Sequence, residues 1–491
     1  MSYRHGAFAS EVPTSVLPPV ETAAGLPVVI GTAPVNMTDE KCVNRPILAH
    51  TYDEAVKALG YVPPVAGANG LKKHEFTLCE AVKSHFALFS TSPIVLVNVL
   101  DPATHRKGAD TDAVTLDAET GSFTVKETGL IPSTVTLTPS ESSAYKHGTD
   151  YVLSFDDNGY LVISSLGTKG HWNCQTGASL TLAAQKVDVA AVTDEDVMGG
   201  VSKGKMTGLE LVNEVFPRFG LVPGLIVAPG YSSKAGVAAV MTAKAATVNG
   251  LFKAVALIDV PVDTVTDYTA VSEWKNTNNI TDPFQVVCWP KVKLDDVEYF
   301  MSTQMMGVIG RVDAQNDDIP YVSPSNNSLK ASGAIVSDGS EVFLDNQSGA
   351  YLNGQGIVTA LSFIGGWKAW GNRTACYPAV TDPKDAFICI RRMFNWIANT
   401  FILTFWQKVD GPLNRRLIDT ILDSANIWMN GLASRGCILG GRITFNPDEN
   451  PETALMDGKV RFHVYVTPPS PARELDFEIE YDVKYLQNLF G

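Results

Sequence analysis

Histidine is the side chain best suited to proton transfer near neutral pH, and the chain has eight: His5, His50, His74, His85, His105, His147, His171 and His463. None lies between 172 and 462, so a serine triad would have to draw its base from outside that stretch. Gly230-Tyr231-Ser232-Ser233-Lys234 fails the nucleophile-elbow pattern G-x-S-x-G at its last position. It reads instead as a strand-to-helix turn with Ser233 as N-cap. The run GVSKGK from Gly200 is one spacer short of a P-loop, and Met206 follows where a magnesium-binding hydroxyl is required, so a plain loop is expected. Asp338 and Asp345 lack EF-hand spacing, and Asp156-Asp157 is a turn before it is an acid/base pair. Aromatics such as Tyr61 and Phe76 are not interleaved with a basic patch, as stacking on single-stranded nucleic acid requires. The seven cysteines (Cys42, Cys79, Cys174, Cys288, Cys376, Cys389 and Cys437) are odd in number and contain no C-x-x-C pair. They read as buried thiols of a reducing compartment, not a disulfide frame or zinc site. The expectation is no catalytic residue, no cofactor and no metal.

The elements around these residues point to a large multi-domain body. With 491 residues, 45% apolar and 18% charged, the chain has ample material to bury, and its length implies about two to four domains. A net charge of −14 disfavours direct binding to a phosphate backbone or an anionic membrane. The first ten residues hold no apolar signal region. The longest apolar stretch, 396–406, is interrupted by Asn399 and Thr400 and is too short to span a bilayer.

Residues 1–20 contain Pro13, Pro18 and Pro19 and read as an arm. Helical signals follow at 52–60 and 75–90, and the run PIVLVNVL at 93–100 marks a strand buried on both faces. From 103 to 190 the chain turns rich in Thr, Ser and Gly, with a hairpin signal in which 151–155 and 160–164 flank Asp-Asp-Asn-Gly. This reads as an inserted all-β domain. The α/β rhythm returns near 200. Thr207 and Glu210 suggest a capping box, strands are expected at 225–228, 254–259, 284–289 and 357–364, and helices at 234–249, 269–275 and 297–312. Alternating strands and helices imply a mainly parallel, doubly wound sheet. After about 380, two helices (near 385–406 and 412–434) precede three strand runs (near 437–445, 459–467 and 475–483), the order of a separate α+β domain.

The last of these strand runs carries the strongest pattern in the chain. Asp476, Glu478, Glu480 and Asp482 alternate with Phe477, Ile479, Tyr481 and Val483, so one face is apolar and the other acidic. An edge strand with a charged defence against aggregation would look similar. Its position at the chain end, beyond the stiff spacer Pro468-Pro469-Ser470-Pro471, favours a strand that adds to another subunit's sheet. The N-terminal arm, with Phe8 and Val12, carries a weaker pattern of the same kind.

Three segments together resemble one family. GAFASEV at 6–12 with VVIGTAP at 28–34, and GWKAWGNRT at 366–374, are similar to motifs of contractile tail sheath proteins, and Arg391-Arg392 and the acidic strand tail complete the likeness. The resemblance implies a subtilisin-like α/β sheath domain (21–102 and 191–380) without a working triad and a peripheral β insertion (103–190). It further implies a C-terminal α+β domain (381–475) facing an inner tube and a donor-strand arm (476–491). It implies a structural, non-enzymatic subunit that stacks as six-fold rings around a tube and contracts. The expected partners are other copies of itself, the inner tube protein, and baseplate and terminator proteins. No direct nucleic acid contact or membrane insertion is implied, and assembly would occur in the bacterial host cytoplasm. Trp367, Trp370, Asn372 and Arg373 are expected at the domain junction, with Arg373 bonding carbonyls or a carboxylate. Arg391, Arg392, Arg415 and Arg416 are tube-facing candidates. Residues 381–475 hold 11 basic and 10 acidic residues, whereas 476–491 holds four acidic and one basic. The alternatives are a hydrolase on the α/β domain, which lacks a placed histidine, and a tube or baseplate protein, disfavoured by length and α/β rhythm.

Overall fold

The structure, a computed structural model, describes residues 17–38, 42–109, 113–139 and 143–489; Phe8 and Val12 lie outside the described residues. Its centre is a nine-stranded sheet. In chain order the strands are β1 (Pro27–Gly31), β2 (Pro46–Ala49), β3 (Ile94–Asn98), β4 (Leu225–Val227), β5 (Val255–Asp259), β6 (Gln285–Cys288), β7 (Asn327–Ser328), β8 (Ile357–Phe363) and β9 (Gly366–Trp370). Across the sheet the order is β2-β3-β1-β4-β5-β6-β8-β9-β7. The six strands from β3 to β8 run parallel, and antiparallel strands close each side. Every residue of β1, β3, β5 and β6 is buried. That is why these strands read as unbroken apolar runs: helices cover both faces of such a sheet.

The helix α1 (Met301–Ala314) buries eleven of its 14 residues. A Cβ on Gly307 would lie 2.2 Å from the ring of Phe89, so only glycine lets that ring approach the helix so closely. Sequence reading placed a helix from 297. Instead Val297–Tyr299 is a strand of a second, five-stranded sheet, paired with Lys291–Leu294, and the helix starts two residues after it. The short Val-Glu-Tyr run favours strand, and Phe300, extended at φ −66 and ψ 141, is the N-cap.

Two expected caps also fail. Thr207 precedes a 3-10 turn and bonds Gly200, which donates N–H to its Oγ1 at 3.0 Å. The capping box lies upstream, between Thr193 and Asp196. The helix Ala235–Ala246 has Lys234, not Ser233, at its N-cap and no side-chain cap bond.

The inserted region has its own core of Leu116, Leu137, Tyr151, Leu161, Ile163 and Leu180, distinct from the main one. Its expected hairpin forms, with Tyr151–Phe155 antiparallel to Leu161–Ser165. The tip touches the body, since a Cβ on Gly159 would meet Val62 at 2.7 Å.

The C-terminal region is a pair of long helices, α2 (Ile388–Phe405) and α3 (Arg415–Ser434), with a two-stranded antiparallel sheet of β10 (Gly440–Thr444) and β11 (His463–Thr467). Trp396, Trp428, Met429, Leu432 and Ile438 form its core. The third expected strand, at 475–483, is absent, because a strand needs a hydrogen-bonding neighbour and this segment has none among the described residues. The end, Val483–Leu489, is a 3-10 turn.

Candidate assembly surfaces

The crevice at the carboxyl ends of the parallel strands is where an α/β protein would hold a ligand. Asp259, at the end of β5, accepts from Ser302 N at 2.8 Å and from the hydroxyls of Ser302 and Ser232. Beside it, Glu80 accepts from Phe300 N and Thr303 Oγ1, both at 2.7 Å. These two carboxylates cap the N-terminus of α1, satisfying its free N–H groups. Burial pushes Asp259 up to about 6 and Glu80 up to about 7, outweighing the hydrogen bonds that act the other way. No histidine lies among their partners. Among the described residues the histidine bonded to a hydroxyl, His85 to Thr91 Oγ1 at 2.9 Å, faces the Pro93 carbonyl on its other side, not a carboxylate. The GVSKGK segment is an exposed hairpin, Val201–Ser202 against Lys205–Met206, not a phosphate loop opening a helix. Among the described residues no cluster of three His, Cys, Asp or Glu is placed to hold a metal, no helix is long and apolar enough to cross a membrane, and all seven cysteines are buried and free of disulfides.

The surfaces with unmet bonding capacity lie at the C-terminal end. Residues 476–483 run without pairing, and Asp476, Glu478, Glu480 and Asp482 are all exposed. The apolar face is as bare as the acidic one: Phe477 is 83% exposed, Ile479 96%, Tyr481 74% and Val483 63%. Large apolar side chains in a row at such exposure are a feature in want of a partner.

Nearby, β10 and β11 pair only with each other. Helix α3 covers one face of this sheet, burying Ile443 and half-burying Val464 and Val466. The other face shows Arg442, whose guanidinium lies 4.3 Å from the Tyr465 ring centroid, and His463 stacked on Tyr465 at 4.2 Å. Each strand therefore keeps one edge of N–H and C=O groups that no strand among the described residues occupies.

The Trp-Gly-Asn-Arg-Thr segment sits where the large sheet meets α2. Trp367 and Trp370, on β9, are half-buried against the main core. Asn372 O accepts from Ile388 N at 3.0 Å, at the start of α2. Arg373 does not form the expected fork with carbonyls or a carboxylate. Its guanidinium lies 3.7 Å from the Phe387 ring centroid and 4.3 Å from that of Tyr377, a stacking role for a planar cation.

The four arginines divide. Arg415 and Arg416 are exposed at the start of α3, with Arg415 paired to Asp419 at 3.0 Å. Arg391 and Arg392 are buried and cannot face a tube: Arg391 pairs with Asp385 at 2.9 Å, and Arg392 forks onto both oxygens of Asp313 in α1. The sequence offers both as tube-facing candidates, and their burial within the subunit corrects that reading. A signal was available, since Arg392, Asn395 and Asn399 recur at i, i+3 and i+7 in an otherwise apolar helix. Asn395 donates to Ala254 O at 3.0 Å, and Asn399 bonds both backbone groups of Lys253 at 2.9 Å. This polar stripe docks α2 on the chain leading into β5.

No family model matches the chain. It is 29% identical over 504 aligned residues to the tail sheath protein of Burkholderia phage BcepMu, covering 100% of this chain and 99% of that protein. It is 28% identical over 298 residues to a putative prophage major tail sheath protein of Pseudomonas aeruginosa strain UCBPP-PA14, covering 59% of this chain and 73% of the relative. Among solved structures, the sheath of an extracellular contractile injection system, PVC, in its contracted state shares the fold at a TM-score of 0.58 and 14% identity, with 99% of each chain covered. In agreement with the resemblance read in three of its segments, the chain is a homologue of tail sheath proteins, and it shares its fold with the sheath of a contractile injection system.

Proposed function

We propose that this chain is the structural subunit of a contractile sheath, stacking as six-fold rings around an inner tube and shortening to drive that tube through a target envelope. The observation that carries this reading is the unpaired tail: a segment with strand alternation and a bare apolar face, leaving a domain whose small sheet pairs with no further described strand on either edge. Residues 476–483 add as a strand to the β10–β11 sheet of a neighbouring subunit, main chain to main chain. Phe477, Ile479, Tyr481 and Val483 then face that subunit's core, and burial of each contributes roughly 1.5–3 kcal/mol. The acidic face meets solvent or basic side chains such as Arg442. Phe8 and Val12 engage a neighbour in the same manner.

The α/β body serves as a subtilisin-like frame without a working triad, and the two serines at Asp259 lack a histidine base. Contraction needs no nucleotide, because the extended and contracted lattices differ in contacts and the difference is stored at assembly. Arg415 and Arg416 remain the tube-facing candidates. Baseplate and terminator proteins are the remaining partners, assembly takes place in the host cytoplasm, and neither nucleic acid nor lipid is contacted directly. Negative-stain microscopy of the purified protein tests this reading. Tubes or stacked rings are expected, and a uniform small particle under all polymerising conditions contradicts it.

A further inference from the structure

The stretch where the expected N-terminal arm joins the body is held in an unusual way. Residues 17–23 run without helix or strand, yet much of their polar capacity is met by side chains of the two long C-terminal helices. Leu17 N donates to Ser424 Oγ and Val20 N to Thr404 Oγ1, each at 3.0 Å. Trp396 Nε1 donates to Thr22 O at 2.7 Å, and Trp428 Nε1 to the Glu21 carboxylate at 2.8 Å. Arg392, already forked onto Asp313, also donates to Ala24 O at 3.1 Å. The groups on α2 fall at 392, 396 and 404 and those on α3 at 424 and 428, spacings of four and eight that line one face of each helix. All five are buried, with Trp396 at 2% and Ser424 at 3% exposure.

A donor or acceptor buried under an extended segment is costly to leave unmet. The two indole N–H groups and two hydroxyls therefore specify that this segment lies here, although they are nearly 400 residues away in sequence. The chain's two ends also converge: β11, from which the tail departs, shares the Trp396–Trp428 core with the strap, Val464 and Val466 on one side and Ala24 on the other.

We infer that residues 17–24 are a strap clipped into a groove of α2 and α3, and that Trp396, Thr404, Ser424 and Trp428 are positioning residues fixing where the N-terminal arm leaves the subunit toward a second copy of this chain. Through Arg392 and Asp313 the strap is tied directly to α1, so a pull along the arm enters the body at the α1–α2 seam and bypasses the inserted domain. This rests on the sheath reading above. It adds a claim that reading does not need: the arm's exit point is set by side chains, with no sheet involved.

The test compares the full chain, a deletion of residues 1–16, and the variant Thr404→Val/Ser424→Ala/Trp428→Phe, which removes three clips, nearly isosterically at 404 and 424 and with a smaller ring at 428. Thr404→Val alone serves as a milder second variant. Hydrogen exchange at Leu17 and Val20 is expected to speed up at least ten-fold in the triple variant while the thermal midpoint of the body moves only a few degrees. Polymerisation is expected to fall to the level of the deletion. The inference is overturned if the Leu17 and Val20 amides keep their protection, or if the triple variant polymerises like the parent while the deletion does not. If the deletion itself polymerises normally, the arm reading fails and the strap loses its role in assembly with it.

Discussion

Strand β3 (Ile94–Asn98) and the segment 476–483 are both built from side chains that favour extended backbone, yet they end in opposite states. Every residue of β3 is buried, with β1 on one side and β2 on the other completing its ladder. The tail pairs with no strand among the described residues and leaves Ile479 96% exposed. The difference lies in the pattern. An unbroken apolar run can be satisfied only between two layers, which the α/β body supplies. A strand with one apolar and one acidic face requires a half-covered edge, and this chain's own small sheet does not capture it. The body satisfies its strands within one chain, and the tail is proposed to do so on another.

Four substitutions and one titration sharpen that contrast. The largest effect is expected in the body's buried ion pair. Arg392→Ala leaves Asp313, 1% exposed, without its cation and should cost about 3–5 kcal/mol in urea unfolding. Arg415→Ala, on the exposed start of α3, should stay within about 0.5 kcal/mol. Next, Leu96→Ala in β3, where the side chain is fully buried, should cost about 2–5 kcal/mol. Ile479→Ala should leave unfolding of the isolated subunit within about 0.5 kcal/mol and weaken only polymerisation. Equal stability losses at 96 and 479 would show that the tail is docked in cis and would break the comparison.

The titration concerns Glu80. Burial raises its folded pKa to about 7 from an ordinary 4.5, so the folded state holds the proton more tightly than the unfolded one. Its contribution to stability is therefore full below about pH 4.5 and is lost as pH rises through 7. His74 acts in the opposite sense. Burial lowers it to about 4, so folding is penalised as pH falls below its ordinary 6.5. Glu80→Gln removes the first effect and leaves the second. Between pH 5 and 8, stability of the variant should rise relative to the parent by on the order of 1–3 kcal/mol, read from thermal midpoints across that range. A constant offset would show that Glu80 is charged throughout. The smallest effect is expected for the insertion. Deleting 103–190 with a short linker should leave polymerisation intact, and loss of assembly in a folded deletion would make the insertion an assembly element.

The sequence made strands legible where burial on both faces wrote an apolar run, as in β1, β3 and β5, and made the inserted domain legible through its turn-rich hairpins. Boundaries set by local competition were not legible. The strand Val297–Tyr299 was hidden because it abuts a helix of similar apolar content, and the caps at Thr207 and Ser233 went elsewhere because a nearby hairpin and an extended Lys234 took their places. The arginines show the limit most clearly. Arg391 and Arg392 look like surface charge until Asp385 and Asp313, the latter 79 residues away, come into reach. Pairing at such range is a property of the tertiary fold. The alternation at 476–483 is readable for the opposite reason, since a strict two-residue period depends on nothing else in the sequence, but no strand forms there within the described residues.

The central claim is that this tail completes itself on a neighbour, and truncation tests it most directly. A chain ending at residue 475 should purify as a soluble subunit with the thermal midpoint of the parent and should form no tubes by electron microscopy under conditions where the parent does. Tubes of normal length and contraction from the truncated chain would contradict the account and reduce 476–491 to an ornament of the surface.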